Sequence, residues 1–498
     1  MALNTYKTAS KSLRKAEISD ASVTGLKGKF DRPIKLTFLG AGSFFSLPLL
    51  NDILRIPGNC GGTIVLVDTD ARRLSGTVRA IRKLIEYLNL RNWKLVASTD
   101  RWAVLKDSNY VVNCIEVSGV DCVRMDNDIP LKYGIDQCIG DTVGPGGLFK
   151  ALRTIPVWLD VLRDCERLCP EALVLNYTNP MSMLCLAAAR VSSMQVIGLC
   201  HSVQHTSNLL AQYAGVPYEE LEWNCAGVNH LAWFVKLRHK GNDLYPKLHK
   251  KFATEISEGI REFDAGLVVQ DSTDNSHGRT KETKYKQTDL IRKDMCLHFG
   301  AFITESSGHI SEYLPYYRKS TAGRKLLRLG YDGGSRFYAS NWPRWRSDAD
   351  SERAALLRSK APLEWVRTWE YASWIIEARE KDSPIRVHGN VLNNSRGAGQ
   401  LITNLPADGC VEVACYVDRN GVNPSRFGSL PPQMAAVSAS NMMMIDLGAQ
   451  AAVERDIGKA IYSLMLDPLT AAVCTPTEIK KMTLELFKAE KRFLPRYK

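Results

Sequence analysis

Residues 34–45, IKLTFLGAGSFF, carry the strongest indication of the architecture. A short apolar run ends in Gly40-Ala41-Gly42-Ser43, and the helical pattern SLPLLNDILRI follows it. A strand that turns through two glycines into a helix typically opens a Rossmann-like sheet, because glycine lets the backbone approach a pyrophosphate held by amides at the helix start. The stretch therefore predicts a dinucleotide site that includes Gly40, Gly42 and Ser43.

The next strand-like run, TIVLVD, ends in Asp68. An acid at this spacing accepts hydrogen bonds from a ribose diol and repels a 2′-phosphate, so Asp68 favours NAD over NADP. The fingerprint departs at Phe45, which stands where a third glycine is usual, so the helix must lie further from the strand or cross it differently. On these residues alone, a glycine-rich turn in an α/β sheet without a cofactor remains the alternative.

Further along the chain, short apolar runs alternate with helical patterns as far as VIGLC at 196–200. This alternation predicts an α/β fold, a Rossmann-like doubly wound parallel sheet of the lactate/malate dehydrogenase kind. The spacing widens after about residue 215, which predicts a second, mixed α+β domain. We divide the chain into an N-terminal extension (1–32), an NAD-binding Rossmann-like domain (33–205) and a substrate- and metal-binding α+β domain (206–498). Near the C-terminus, residues 435–466 predict one long helix.

The composition narrows the class of protein. The chain has 498 residues, 45% of them hydrophobic, and a net charge of +12 from basic residues scattered among acidic ones, which disfavours nucleic acid as a partner. Thirteen cysteines without framework spacing suggest reduced thiols, and hence a cytoplasmic protein. No apolar signal region and no run of 18 apolar residues occurs, so we expect neither secretion nor a membrane partner.

Three polar residues follow strand-like runs: Asn179 in LVLNYTNP, Cys200 in VIGLC and His230 in CAGVNH. Side chains at the C-terminal ends of parallel strands face the cofactor crevice. A thiolate and an imidazole bind a borderline divalent ion well and leave positions open for substrate, so Cys200 and His230 predict a catalytic metal site. A Cys–His nucleophile pair, or buried thiols beside a core histidine, are the alternatives that these residues leave open.

Six longer words carry a resemblance to a known family. They are IGDTVGPGGLFKALRTIP at 139–156, NYTNPMS at 176–182, GLCHSVQ at 198–204, CAGVNHLAWF at 225–234, FITESSGHISEYLPYYRK at 302–319 and LITNLPADGCVEVACYVDRNGVNP at 401–424. Their order and length resemble the family-4 glycoside hydrolases, and most closely the α-galactosidase (melibiase) branch.

The resemblance implies an NAD- and divalent metal-dependent glycosidase, the metal usually Mn²⁺, and a redox-neutral cycle. NAD⁺ takes hydride from C3 of the sugar, a base removes the C2 proton, the aglycone leaves, water adds and the hydride returns. Cys200 and His230 would hold the metal with the C2 and C3 oxygens. Asn179 would bind the same hydroxyls.

The same resemblance assigns the C2 base to a tyrosine in SEYLPYY, for which we select Tyr313, with Tyr316 as the second choice. Its pKa would have to fall from its ordinary value, and the metal and Arg318 are the available causes. Arg318 and His309 are also candidates for binding the substrate.

The acid that protonates the leaving group has two candidates. His201 directly follows the cysteine assigned to the metal, and a histidine side chain can donate a proton to a leaving group. Asp141, in the GDT word, is either this acid or a ligand to sugar hydroxyls.

Residues 253–292, 340–359 and 393–400 differ from the branch pattern, and Trp342 and Trp345 within them either stack on a sugar or anchor the loop. The sugar stays open between galactose, glucose and a uronic acid. A lactate/malate-type dehydrogenase and a non-catalytic NAD-binding regulator are the other function classes. We also expect a homo-oligomer, because members of the resembling family commonly form dimers or tetramers.

Overall fold

A computed structural model describes residues 25–43, 45–267, 285–359, 366–394 and 399–498. The predicted N-terminal extension lies largely outside these residues, as do parts of the ranges 253–292 and 393–400 that differ from the branch pattern.

The strands are β1 (Ile34–Leu39), β2 (Gly62–Val67), β3 (Trp93–Ser98), β4 (Tyr110–Asn113), β5 (Leu173–Asn176), β6 (Gln195–Gly198), β7 (Leu221–Val228), β8 (Leu231–His239), β9 (Asn242–Asp243), β10 (Phe302–Ile303), β11 (Ile385–Leu392), β12 (Cys410–Asp418) and β13 (Gly421–Pro424).

The helices are α1 (Ser46–Leu54), α2 (Ala71–Tyr87), α3 (Gly119–Lys132), α4 (Gly144–Leu168), α5 (Met181–Val191), α6 (Ser202–Ala214), α7 (Tyr245–Asp264), α8 (Leu290–Phe299), α9 (Ser307–Tyr313), α10 (Thr321–Arg324), α11 (Phe337–Arg358), α12 (Tyr371–Lys381), α13 (Pro432–Glu454), α14 (Ile457–Leu466), α15 (Pro468–Val473) and α16 (Pro476–Ala489).

The first half of the chain forms a parallel sheet in the order β3-β2-β1-β4-β5-β6. This is the strand order of a doubly wound dinucleotide-binding sheet. β1, β4 and β5 are almost wholly buried, as expected of strands that helices cover on both faces. The predicted α/β, Rossmann-like class is confirmed.

The second half extends the same sheet with antiparallel strands. β11 joins β6 through the pair Asn390 and Gly198, and the order continues β12-β7-β8-β10. The predicted domain limit between residues 205 and 206 falls inside α6, and one hydrophobic core includes residues from both sides of it. The division into domains therefore stays a prediction.

The prediction of one long helix over 435–466 is wrong, because the chain turns between α13 and α14. Arg455 has φ +59° at the end of α13, and the Asp456 side chain then accepts a hydrogen bond from the Lys459 amide as the cap of α14. Among the described helices, none has the length and apolar character needed to cross a membrane.

Candidate functional site

The glycine turn after β1 has the close backbone packing that a dinucleotide site requires. Gly40 has φ +75°, and a Cβ there would lie 2.4 Å from the Cys114 carbonyl oxygen. The Gly42 amide donates to Asp68 Oδ2 at 2.7 Å, and a Cβ on Gly42 would lie 2.8 Å from that oxygen. Both positions therefore need glycine, and the turn fits a pyrophosphate at the start of α1.

Phe45, in place of a third glycine, stands directly before α1 and packs against Tyr177 with ring centroids 5.4 Å apart. Its ring therefore occupies space that a glycine at this position would leave open.

The glycine turn and Cys200 open to the same edge of the sheet. Leu39, Asn113, Asn176 and Gly198 lie side by side in register across β1, β4, β5 and β6. Gly40 follows this row by one residue and Cys200 by two. Three strand spacings of about 4.8 Å separate the two ends of the row by roughly 14 Å.

Cys200, His230 and Glu305 form a group that fits a metal ion. One ligand atom from each, the thiol sulfur, a ring nitrogen and a carboxylate oxygen, lies within 4.8 Å of the other two. His230 Nε2 is 4.0 Å from Glu305 Oε1. Sulfur, nitrogen and oxygen donors at this spacing suit Mn²⁺, Zn²⁺ or a similar divalent ion.

Each of these residues stands at an abrupt change of chain direction. Cys200 lies between β6 and α6, His230 sits in the two-residue turn between β7 and β8, and Glu305 lies between β10 and α9. His230 has φ +64° and Glu305 has φ +71°. Backbone that L-residues adopt at a cost is often retained where it orients functional side chains.

The electrostatics of the group also suit a cation. Burial and the neighbouring His309 lower the pKa of His230 to about 4, so its imidazole is neutral. Burial acts to raise the pKa of Glu305, but the imidazoles of His309 and His230 hold it at about 2, so this carboxylate is charged. Burial and Glu412 raise the pKa of Cys200 well above its ordinary value, and a bound divalent charge would favour the thiolate.

His309 and Asp141 line the same group. The His309 ring meets the His230 ring edge-on with centroids 4.6 Å apart, and its Nε2 is 4.0 Å from Asp141 Oδ1. The Asn179 amide donates to Asp141 Oδ2 at 3.1 Å. Burial acts to raise the pKa of Asp141, but Lys150 and His309 lower it overall. Asp141 is thus a carboxylate at neutral pH, better suited to accepting hydrogen bonds from sugar hydroxyls than to donating a proton.

Tyr313 is buried in contact with the group, with its phenolic oxygen 3.4 Å from His230 Nδ1. Burial, Asp141 and Glu312 raise the pKa of Tyr313 well above its ordinary value. The second choice, Tyr316, is 44% exposed and packs against Phe299.

The structure does not bring Arg318 into this group as a substrate ligand. Its side chain is fully buried, with Nη1 paired to Asp136, Nε donating to Ser311 Oγ at 2.8 Å and Nη2 to the Gly333 oxygen at 2.8 Å. These protein acceptors hold all three nitrogens. The structure thus shows Arg318 in an ion pair with Asp136, and its roles toward substrate and Tyr313 stay predictions.

His201 lies at the exposed rim of the site. Its side chain is 43% exposed, its Nδ1 is 3.9 Å from Glu370 Oε1, and its ring lies 4.9 Å from that of His205. This position is accessible to an aglycone.

The sequence did not predict two residues at the site, Glu305 of the group and the neighbouring Lys150. Glu305 is in the word FITESSGHISEY, where an acid between a short strand and a helix was the available signal. Lys150, in the GPGGLFK word, is buried with its Nζ 3.0 Å from Glu116 and 4.0 Å from Asp141. The Trp342 ring centroid lies 5.8 Å from the same Nζ, whereas Trp345 packs against a small core cluster of Cys138, Ile139 and Phe337.

Two family models match successive parts of the chain. The family described as "Family 4 glycosyl hydrolase" matches residues 35–216, and "Family 4 glycosyl hydrolase C-terminal domain" matches residues 225–470. An α-galactosidase of Bacillus subtilis is 35% identical over 472 residues, which cover 93% of this chain and 100% of the relative. An α-galacturonidase of Thermoanaerobacterium saccharolyticum is 26% identical, covering 93% and 97%.

A solved structure has the same fold. The 6-phospho-α-glucosidase from gut microorganisms in complex with NAD and Mn²⁺ superposes with a TM-score of 0.72 at 20% identity, over 94% of this chain and 100% of the other.

Proposed function

Because the chain belongs to family 4 of the glycosyl hydrolases, we propose that it is an NAD- and Mn²⁺-dependent α-galactosidase. The observation that carries the proposal is the position of the Cys200, His230 and Glu305 group on the same sheet edge as the glycine turn. The α-galactosidase relative, at 35% identity over its whole length, supports the choice of sugar. The NAD and Mn²⁺ in the structure of the 6-phospho-α-glucosidase support the cofactors.

The residues present fit both cofactors. Gly40, Gly42 and Ser43 would hold the NAD pyrophosphate and Asp68 the adenosine ribose, while Cys200, His230 and Glu305 would hold the metal. When bound, NAD would supply a reversible hydride acceptor for sugar C3, and the metal would supply Lewis-acid polarisation of the C2 and C3 oxygens.

The chain's own residues bind the sugar and move protons. The Asp141 carboxylate and the Asn179 amide, already in mutual contact, orient sugar hydroxyls at the sheet edge. Tyr313 Oη accepts the C2 proton, since it lies 3.4 Å from Nδ1 of His230 in the metal-binding group. His201, at the accessible rim, donates a proton to the departing aglycone oxygen.

The charges around the group favour a neutral sugar over a uronic acid. Three nearby cations already have acidic partners: Lys150 pairs with Glu116 at 3.0 Å, Arg292 with Asp289 at 2.6 Å and Arg318 with Asp136. A uronate carboxylate would have to displace one of these acids or stay unpaired, at a cost in binding energy. The α-galacturonidase relative keeps a galacturonide as the second candidate.

The experiment is a panel of nitrophenyl α-galactoside, α-glucoside and α-galacturonide, assayed with NAD⁺, Mn²⁺ and thiol reductant. We expect release of nitrophenol from the α-galactoside without net formation of NADH. Steady NADH formation would identify a dehydrogenase instead. Turnover of the galacturonide alone would be consistent with the family mechanism but would contradict the proposed specificity for galactose.

The proposal includes a cytoplasmic location and a homo-oligomer. All thirteen cysteines are free thiols, as a reducing compartment requires, and the thiolate of Cys200 is needed for the metal. Exposed apolar side chains on α13 and α14, namely Met443, Tyr462 and Leu466, offer surface for a second copy.

A further inference from the structure

Helix α11 passes beside the dinucleotide turn and makes direct contact with it. The buried Arg353 donates from Nη2 to the Gly42 oxygen at 3.2 Å and from Nη1 to Asp350 at 3.1 Å. Asp350 also pairs with Arg73 of α2 at 3.0 Å. These contacts tie α11 to α2 and to the turn, so the helix forms one wall of the cofactor region.

Between α11 and the first turn of α2 is an open cleft of about 500 Å³. Its lining residues are Arg72, Pro343, Arg346, Ser347, Asp350, Ser351 and Ala354. The guanidinium of Arg346 also reaches the start of α3, since a Cβ on Gly119 would lie 3.1 Å from its Nη1. The cleft thus lies between the loop after β2 and the loop after β4, the two loops that flank the adenosine end of the cofactor in a doubly wound sheet.

The cleft has an excess of positive charge. Asp350 is the acid in its lining, and its charge is shared by Arg73 and Arg353 outside the lining. Arg72 and Arg346 have no acidic partner within 4.0 Å among the residues that the structure describes. Two unpaired guanidinium groups with serine hydroxyls between them suit a phosphate, which accepts bidentate hydrogen bonds from arginine.

Asp68 is expected to repel a phosphate on the 2′-oxygen, but its surroundings weaken that repulsion. Its Oδ2 accepts from the Gly42 amide at 2.7 Å and its Oδ1 from the Asp70 amide at 2.8 Å. The Arg353 guanidinium is close enough for its charge to interact with the Asp68 carboxylate. The electrostatic potential at the ribose is therefore less negative than Asp68 alone would make it.

We propose that Arg72 and Arg346 form a subsite for the 2′-phosphate of an adenine dinucleotide, so that the protein binds NADP in addition to NAD. The proposal rests on the dinucleotide half of the proposed function and is independent of the glycosidase chemistry. It assigns to α11, a segment that departs from the branch pattern, a part in the choice of cofactor.

The test measures binding to the full-length protein by calorimetry, with NAD, NADP, 2′-AMP and 5′-AMP as probes and without any sugar. We expect 2′-AMP to bind at least about tenfold more tightly than 5′-AMP, and NADP to bind within about tenfold of NAD. The double variant Arg72→Gln/Arg346→Gln should weaken the binding of NADP and 2′-AMP by about tenfold or more. It should weaken the binding of NAD by less than about threefold. Arg344→Gln, on the same helix but outside the cleft, is the matched control and should change neither.

Equal affinity for 2′-AMP and 5′-AMP in the unaltered protein overturns the proposal without any variant. An equal loss of NAD and NADP binding in the double variant also overturns it, because the arginines would then hold a part common to both cofactors. If neither dinucleotide binds, the proposed function fails together with this subsite, whereas binding of NAD alone leaves the proposed function intact.

Discussion

The phenolic oxygen of Tyr313 lies 3.4 Å from Nδ1 of His230, the histidine whose other ring nitrogen faces Glu305. A metal on Nε2 would leave the proton on Nδ1, where it can donate to the tyrosine oxygen. The imidazole would then connect the cation to the base. With a metal bound, this arrangement would act against the burial and the acidic neighbours that raise the pKa of Tyr313.

Tyr313→Phe should slow removal of the C2 proton while leaving cofactor and metal binding intact. The variant keeps the ring but loses the oxygen, so we expect turnover to fall by about 10²–10⁴. The measurement is the incorporation of solvent deuterium at C2 of the sugar product, followed by NMR. Tyr316→Phe, at the exposed position, is the control and should exchange normally; loss of exchange in this variant would shift the role of base to Tyr316.

Cys200→Ser and Glu305→Gln should each weaken Mn²⁺ binding by at least about 100-fold, because each removes a charged ligand from a three-residue group. Loss of the EPR signal of free Mn²⁺ on titration with protein measures this affinity directly. Cys296→Ala, a buried thiol outside the group, should bind Mn²⁺ normally. If Glu305→Gln binds Mn²⁺ as tightly as the unaltered chain, the carboxylate is not a ligand.

His201→Gln should distinguish the two candidates for the leaving-group acid. A sugar aglycone needs protonation and a nitrophenolate does not, so the variant should lose about 10²–10⁴ in turnover of an α-galactosyl disaccharide and keep most of its activity on the nitrophenyl substrate. Asp141→Asn should impair both substrates similarly, because lysine and histidine neighbours keep Asp141 ionised. The reverse pattern would make Asp141 the acid. Paired kcat measurements on the two substrates decide between them.

The parts of the fold that the sequence predicted depend on local signals. The glycine turn, each apolar strand and each helical pattern can be read from a short stretch of sequence. Together they predict the parallel half of the sheet. Arg318 shows where such signals end, since its partner Asp136 is distant in sequence and becomes a neighbour through folding alone.

Glu305 illustrates the same limit for the site. It lies in one of the stretches that carry the family resemblance. Its proposed role as a metal ligand, however, depends on its distance to Cys200 and His230, which lie in other parts of the chain. The break at Arg455 escaped prediction for a related reason: the apolar pattern continues through it, and only the left-handed backbone and the aspartate cap reveal the turn.

The fully buried Asp52 of α1 predicts a pH dependence of stability that is separate from the metal site. Burial raises its pKa from 3.8 to about 7, although the Thr368 hydroxyl and amide donate hydrogen bonds to it. Because the folded-state pKa exceeds the unfolded one, the folded protein binds the proton more tightly, and this group lowers the free energy of unfolding as pH rises from about 4 to about 7. Three pKa units correspond to a loss on the order of 4 kcal/mol.

Asp52→Asn removes that titration, so the stability of the variant relative to the unaltered chain should increase from pH 4 to pH 7 and stay level above it. Urea unfolding followed by circular dichroism across this range measures the difference, in the apoprotein so that metal binding does not contribute. Asp348→Asn, an exposed change on α11, is the control and should show no such trend. A constant difference between Asp52→Asn and the unaltered chain at every pH would mean that Asp52 stays ionised in the folded protein, stabilised by its Thr368 hydrogen bonds in spite of its burial.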